Sequence, residues 1–178
     1  MVEETVQKET LYRGKVIDLE LHDVTLPDGN DAKREIVRHP GAVGIITIDN
    51  DGRIILVKQY RKALGKVIYE IPAGKKEPGE DSLTTAKREL EEETGYQAEQ
   101  WKEVTSFYTS PGFADEIIEL YEARDIQESH QLSLDEDEFI EVIAVTLEEA
   151  KALLHQQLIH DAKTAYALLY LDIQAQQS

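Results

Sequence analysis

The segment from Gly74 to Tyr96, GKKEPGEDSLTTAKRELEEETGY, constrains this chain more than any other. Asp81 or Ser82 can cap a helix here and Gly95 can end it, so a helix is predicted over 81–94. With successive residues about 100° apart, Leu83, Ala86 and Leu90 share an apolar face. Glu89, Glu92 and Glu93 fall beside that face, and Lys87 and Glu91 lie opposite as a solvent-facing pair. Two carboxylates roughly 6 Å apart repel by about 0.7 kcal/mol in water, and by about 3 kcal/mol at an effective dielectric near 20. Three of them beside an apolar stripe need solvation, protonation or a neutralising cation, and hard oxygen ligands suit Mg²⁺.

The flanks read as strands before this helix, and as strands and then helices after it. The first 40 residues resemble short strands, with a turn at Pro27-Asp28-Gly29-Asn30 and a break at Pro40-Gly41. Ala42 to Asp49 and Arg53 to Tyr60 flank Asn50-Asp51-Gly52 as a hairpin. Val67 to Ile71 is a strand, as are Tyr96 to Tyr108, Glu116 to Ala123 and Phe139 to Val145, with an acidic loop from Ile126 to Glu138. Thr146-Leu147-Glu148-Glu149 is a capping box opening a helix whose Ala150, Leu153, Leu154 and Leu158 share a face. A last helix from about Asp161 is expected to face Ala165, Leu168, Leu169 and Ile173 inward. This order predicts an α/β (α+β) chain with a mixed sheet between helices.

Composition narrows the partners. The 178 residues carry 19 Lys and Arg against 36 Asp and Glu, a formal charge of −17. Phosphate-backbone binding depends on Lys and Arg displacing counterions, and no Lys/Arg run here exceeds two residues, so no nucleic-acid partner is expected. No apolar stretch is long enough to span a membrane and the N-terminus lacks a signal-peptide core, so a soluble cytoplasmic protein is expected. There is no cysteine, hence no disulfide or thiolate chemistry.

The helix segment also fits a longer pattern, G-x5-E-x7-R-E-U-x-E-E-x-G with U aliphatic, through Gly74, Glu80, Arg88, Glu89, Leu90, Glu92, Glu93 and Gly95. Composition alone would produce such a match roughly once in a million chains. The segment resembles the box of the Nudix hydrolases, with Tyr96 where the family has an aliphatic residue. Arg34-Glu35, His39-Pro40-Gly41, Gln59-Tyr60-Arg61, Glu70-Ile71-Pro72-Ala73-Gly74 and Pro111, 16 residues after Gly95, resemble the ADP-ribose pyrophosphatase subfamily.

The resemblance implies a Nudix-type α/β/α sandwich around a mixed sheet (residues 41–178), preceded by a strand-rich extension (1–40) that dimerises. It implies Mg²⁺-dependent (or Mn²⁺-dependent) hydrolysis of a small nucleoside diphosphate, ADP-ribose, to AMP and ribose 5-phosphate. The implied metal ligands are Glu89, Glu93, the Ala73 carbonyl and Glu138, with Glu136 as base and Glu92 binding metal or assisting. Arg88 would orient the acids through Glu92 or Glu91. Arg34, Glu35, Arg61, Ser110, Pro111, Gly112 and Glu116 would line the substrate pocket. Alternatives are a broader nucleoside diphosphate-sugar pyrophosphatase and a non-catalytic Nudix-fold ADP-ribose sensor.

Overall fold

The turn at Pro27 closes tightly because Gly29 adopts φ +87°, a left-handed conformation that costs glycine nothing, and donates its N–H to the Leu26 carbonyl at 2.9 Å. The structure, a computed structural model, describes residues 1–129 and 139–177. It divides into two compact units, Met1–Ala42 with Ser106–Ile118, and Val43–Thr105 with Glu119–Ser178.

In the first unit, β1 (Glu4–Arg13), β2 (Asp18–Thr25) and β3 (Asp31–Arg38) form an antiparallel sheet in that order. Every residue of β1 is exposed, so the strand has no buried face to impose an alternating pattern, and none marks it in the sequence. The end of β3 is zipped to residues 113–115: Val37 donates to the Phe113 carbonyl at 2.7 Å and accepts from the Asp115 N–H at 3.1 Å. Side chains reinforce this seam. Arg38 donates to Asp115 (2.9 Å) and to the buried Glu20 (2.9 Å), which also meets His22 Nε2 at 2.9 Å.

The second unit holds most of a seven-stranded sheet. Its strands are β4 (Ala42–Ile48), β5 (Ile54–Arg61), β6 (Lys66–Glu70), β7 (Ala73–Lys75), β8 (Tyr96–Tyr108), β9 (Ile117–Glu128) and β10 (Glu141–Val145). The order is β10-β5-β4-β9-β8, with β6 beside β5 and β7 beside β4. Val43 to Ile48 are buried without a break, so β4 is covered on both faces. One face takes α1 (Ser82–Thr94): Val43, Ile45, Tyr121 and Ala123 pack with Ala86 and Leu90. This is the α+β architecture, a mixed sheet with helices, that the sequence predicts. No helix among the described residues is long and apolar enough to cross a membrane.

Two local expectations are corrected. Strand β9 runs on to Glu128 through residues expected to begin a loop, because polar cross-strand pairs, Gln100 to Asp125 and Gln127 to Glu99, continue the pairing that apolar residues begin. After α2 (Leu147–His155), helix α3 (Ala162–Gln177) is rotated from its expected setting: Leu169 and Ile173 are 57% and 46% exposed. The buried residues are Lys163, Thr164, Ala167, Leu168 and Leu171. Two polar residues lead that stripe, and their bonds to the sheet, described below, set the rotation.

Candidate active site

Helix α1 begins at Asp81, whose carboxylate accepts the Thr84 N–H at 3.0 Å, and ends at Gly95, left-handed at φ 70° with its N–H on the Glu91 carbonyl. These caps fix which way the glutamates point. Glu93 is 3% exposed and its Oε2 accepts the Ala73 N–H at 3.0 Å. Glu89 turns to the next residue, since a Cβ built on Gly74 would stand 1.8 Å from Glu89 Cδ. Two carboxylates one helical turn apart thus converge on Ala73-Gly74.

Arg88 binds the rest of the box. Its Nε and Nη2 meet the two oxygens of Glu80 at 3.1 Å each, Nη1 meets Glu89 and Glu92 at 2.8 Å each, and Nη2 also donates to the Lys75 carbonyl at 3.2 Å. The bond to Glu80 is the largest influence keeping the guanidinium charged, against the cost of its partial burial, and Glu92 and Glu89 add to it. Of the two partners open for Arg88 in the sequence, Glu92 is met and Glu91 is not. Glu91 bonds instead to Gln97 and Ser129, so the Lys87–Glu91 pair is replaced.

The stretch leading into the box is pinned from two sides. Ile71 donates to Thr164 Oγ1 at 3.0 Å and Tyr69 to the Leu158 carbonyl at 2.8 Å, while Ile45 donates to the Pro72 carbonyl at 2.8 Å. Glu70, 3% exposed, carries a cation on each oxygen: Arg61 Nε at 2.6 Å on Oε2 and Lys163 on Oε1. Lys163 is fixed in turn by Asp161 at 2.9 Å. Burial pushes the Arg61 pKa down more than any one partner raises it, but the Glu70 bond and charge together with the nearby charges of Glu93 and Asp161 outweigh it, and the net shift is upward. Lys163 and Thr164 were not singled out in the sequence. Their signal was a lysine and a threonine at positions continuing the apolar stripe of α3.

The other predicted residues lie in the first unit. Arg34 forks onto Glu3 at 3.0 and 2.6 Å, and Glu35 is exposed on the same strand. Ser110 accepts the N–H groups of Phe113 and Ala114, making Pro111-Gly112 the exposed tip of a turn. Glu116 accepts the Thr109 hydroxyl at 2.6 Å and lies 3.7 Å from His39 Nε2. The structure therefore gathers Ala73, Gly74, Glu89 and Glu93, with Glu92 joined through Arg88, and Arg61 held by Glu70. Glu136 and Glu138 lie outside the described residues.

These residues suit a divalent cation. The donors are carboxylate and carbonyl oxygens, and the missing Cβ of Gly74 leaves room for a carboxylate against the backbone. Among the described residues no group of three or more His, Cys, Asp or Glu side chains could hold an ion by itself, so a bound cation would need the Ala73 carbonyl or further residues to complete its shell.

Residues 38–169 match the NUDIX domain. The chain belongs to the Nudix family. It is 54% identical over 172 residues, 96% of this chain and 93% of the relative, to the ADP-ribose pyrophosphatase of Bacillus subtilis (strain 168). It is 53% identical over 173 residues, 97% of this chain and 94% of the relative, to the methanol dehydrogenase activator of Bacillus methanolicus. A solved ADP compounds hydrolase shares the Nudix fold with a TM-score of 0.87 over 99% of this chain and 96% of its own, at 22% identity.

Proposed function

We propose that this Nudix hydrolase cleaves the pyrophosphate bond of ADP-ribose to give AMP and ribose 5-phosphate, using Mg²⁺ or Mn²⁺. The observation that carries the reading is the convergence of Glu89 and Glu93 on Ala73-Gly74, inside a box whose every acid is present. The substrate is supported by the relative named ADP-ribose pyrophosphatase at 54% identity.

Glu89, Glu93 and the Ala73 carbonyl would hold the cation, with Glu138 completing the set. When bound, the cation offsets the negative charge of the phosphate oxygens, which an acidic protein would otherwise repel. The chain's residues do the rest. Among the described residues Arg61 spends only its Nε, on Glu70, so both terminal amino groups are left for phosphate oxygens. Glu136 would take the proton from the attacking water, and Glu92 would assist through the Arg88 network. Arg34, Glu35, Ser110, Pro111, Gly112 and Glu116 would recognise the two ends of the substrate.

Purified protein with Mg²⁺ and ADP-ribose should release AMP, and Glu93→Gln should abolish that release without unfolding the protein. Full activity in Glu93→Gln sinks the metal assignment. Cleavage of other nucleotide sugars at equal rates would favour the broader pyrophosphatase, and tight ADP-ribose binding without hydrolysis the sensor. A second reading, that the protein raises the activity of a methanol dehydrogenase, rests on the relative at 53% identity named as such an activator, and is checked by adding the protein to a methanol dehydrogenase assay.

The homodimer belongs to the same proposal. Val6, Leu11 and Tyr12 are 70%, 50% and 58% exposed on a strand with no covered face, which a second copy would cover. Sedimentation should give about twice the 20.2 kDa chain mass.

A further inference from the structure

We propose that Lys163 is a positioning residue that keeps Arg61 available to the substrate by occupying the second oxygen of Glu70. The inference rests on the reading above that Arg61 meets a phosphate.

A carboxylate facing an arginine favours a fork, in which Nε and one terminal amino group each bind one oxygen. Arg61 does not fork onto Glu70. Its Nε is on Oε2 at 2.6 Å, and Lys163 is on Oε1. The lysine approaches from α3, behind the strand that carries Glu70, with its side chain 10% exposed, while that of Arg61 is 41% exposed. A second carboxylate, Asp161, bonds Lys163 at 2.9 Å and accepts the Thr164 N–H at 3.1 Å in the manner of an N-cap, so the ammonium is held from both sides. Each oxygen of Glu70 thereby already carries a cation, and the outer arginine is held at one point while its terminal amino groups stay free of bonds to described residues.

An arginine held this way is oriented without being consumed. Were Oε1 vacated, a nearly buried carboxylate oxygen would lack a donor, which is unfavourable, and the nearest remedy is rotation of Arg61 into the fork. One terminal amino group would then be lost to the substrate. The third helix, which lies after the box in sequence, thus sets the donor geometry of an arginine before it.

The test is a cycle on the full chain. Lys163→Met should raise KM for ADP-ribose by about tenfold, equivalent to about 1.4 kcal/mol, with kcat within about twofold of wild type. In an Arg61→Ala background, where KM is already high, Lys163→Met should change it no further. Adding Glu70→Gln to Lys163→Met should recover KM, because a single amide oxygen offers no fork; Asp161 loses its ammonium partner equally in both variants, so that loss does not separate them. Inorganic pyrophosphate, titrated calorimetrically, should show the same pattern without turnover. An equal KM effect of Lys163→Met with and without Arg61, or a lowered Tm with unchanged KM and pyrophosphate affinity, overturns the proposal. Failure of the wild type to cleave ADP-ribose would strike the substrate reading alone, since the pyrophosphate titrations still score Lys163.

Discussion

Gly74→Ala separates the fold of this protein from its chemistry. Gly74 does not need glycine for its backbone, since it is absent from the positions of positive φ. A Cβ there would stand 1.8 Å from Glu89 Cδ, against about 3.4 Å for an ordinary contact, so the carboxylate must retreat by about 1.6 Å. The retreat is cheap for the fold, because the obstacle is the far end of a flexible side chain. It is not cheap for metal binding, which tolerates about 0.2 Å in ligand distance, or for catalysis, where a misplacement near 1 Å can lower the rate about 100-fold. The expected outcome is a kcat with Mg²⁺ reduced on the order of 100-fold and a raised Mg²⁺ requirement. Tm should stay within about 4 °C of wild type, because loss of glycine freedom in the unfolded chain stabilises by about 0.4–1 kcal/mol. Steady-state hydrolysis across a Mg²⁺ series and a melting curve suffice. A variant with wild-type kcat and wild-type Mg²⁺ dependence refutes the idea that Glu89 acts from its place on Gly74.

Arg88→Met should destabilise the protein by about 1–3 kcal/mol, between the values for exposed and buried ion pairs, because it strands Glu80, Glu89 and Glu92; urea midpoints report it. Arg88→Lys should recover only part of this, since one ammonium cannot reproduce the fork on Glu80 together with the other contacts. In the first unit, bonds from His22 and then Arg38 hold the Glu20 pKa well below the ordinary 4.5, at about 2. A lowered folded pKa contributes stability above the ordinary value and loses it as pH falls through the folded one. The Tm gap between wild type and Glu20→Gln should therefore be full at pH 7, shrink below about pH 4.5 and close near pH 2; a gap constant over that range argues against the network.

The parts legible in the sequence were those where one force acts alone. Helix α1 was readable because its caps, apolar stripe and acids lie within a single contiguous segment, and its observed ends match the expected ones to a residue. The hairpin of β4 and β5 was readable from apolar runs around Asp-Gly. Strand β1 fell within the general reading of the first 40 residues as short strands, but its bounds were not readable, because an exposed strand leaves no periodicity. The rotation of α3 was not, because apolar spacing cannot weigh Leu169 against Lys163, whose burial is decided by Glu70, 93 residues away in the chain. The same holds for Arg88: helix spacing suggested Glu92, whereas Glu80 and Lys75 are reached only once the loop before the helix has folded back.

The stretch Tyr69–Ala73 gives its N–H groups at alternate positions to three different places: the Leu158 carbonyl, the Thr164 hydroxyl and the Glu93 carboxylate. Its side chains other than that of Glu70 could vary, within volume, without disturbing any of these bonds. Its length could not, because one inserted or deleted residue inverts the alternation and misdirects every donor beyond it. Among descendants of this chain, substitutions should therefore accumulate in this stretch at positions other than Glu70, while insertions and deletions are purged from it. Length changes should collect instead at turns such as that around Gly65, where the glycine faces open space.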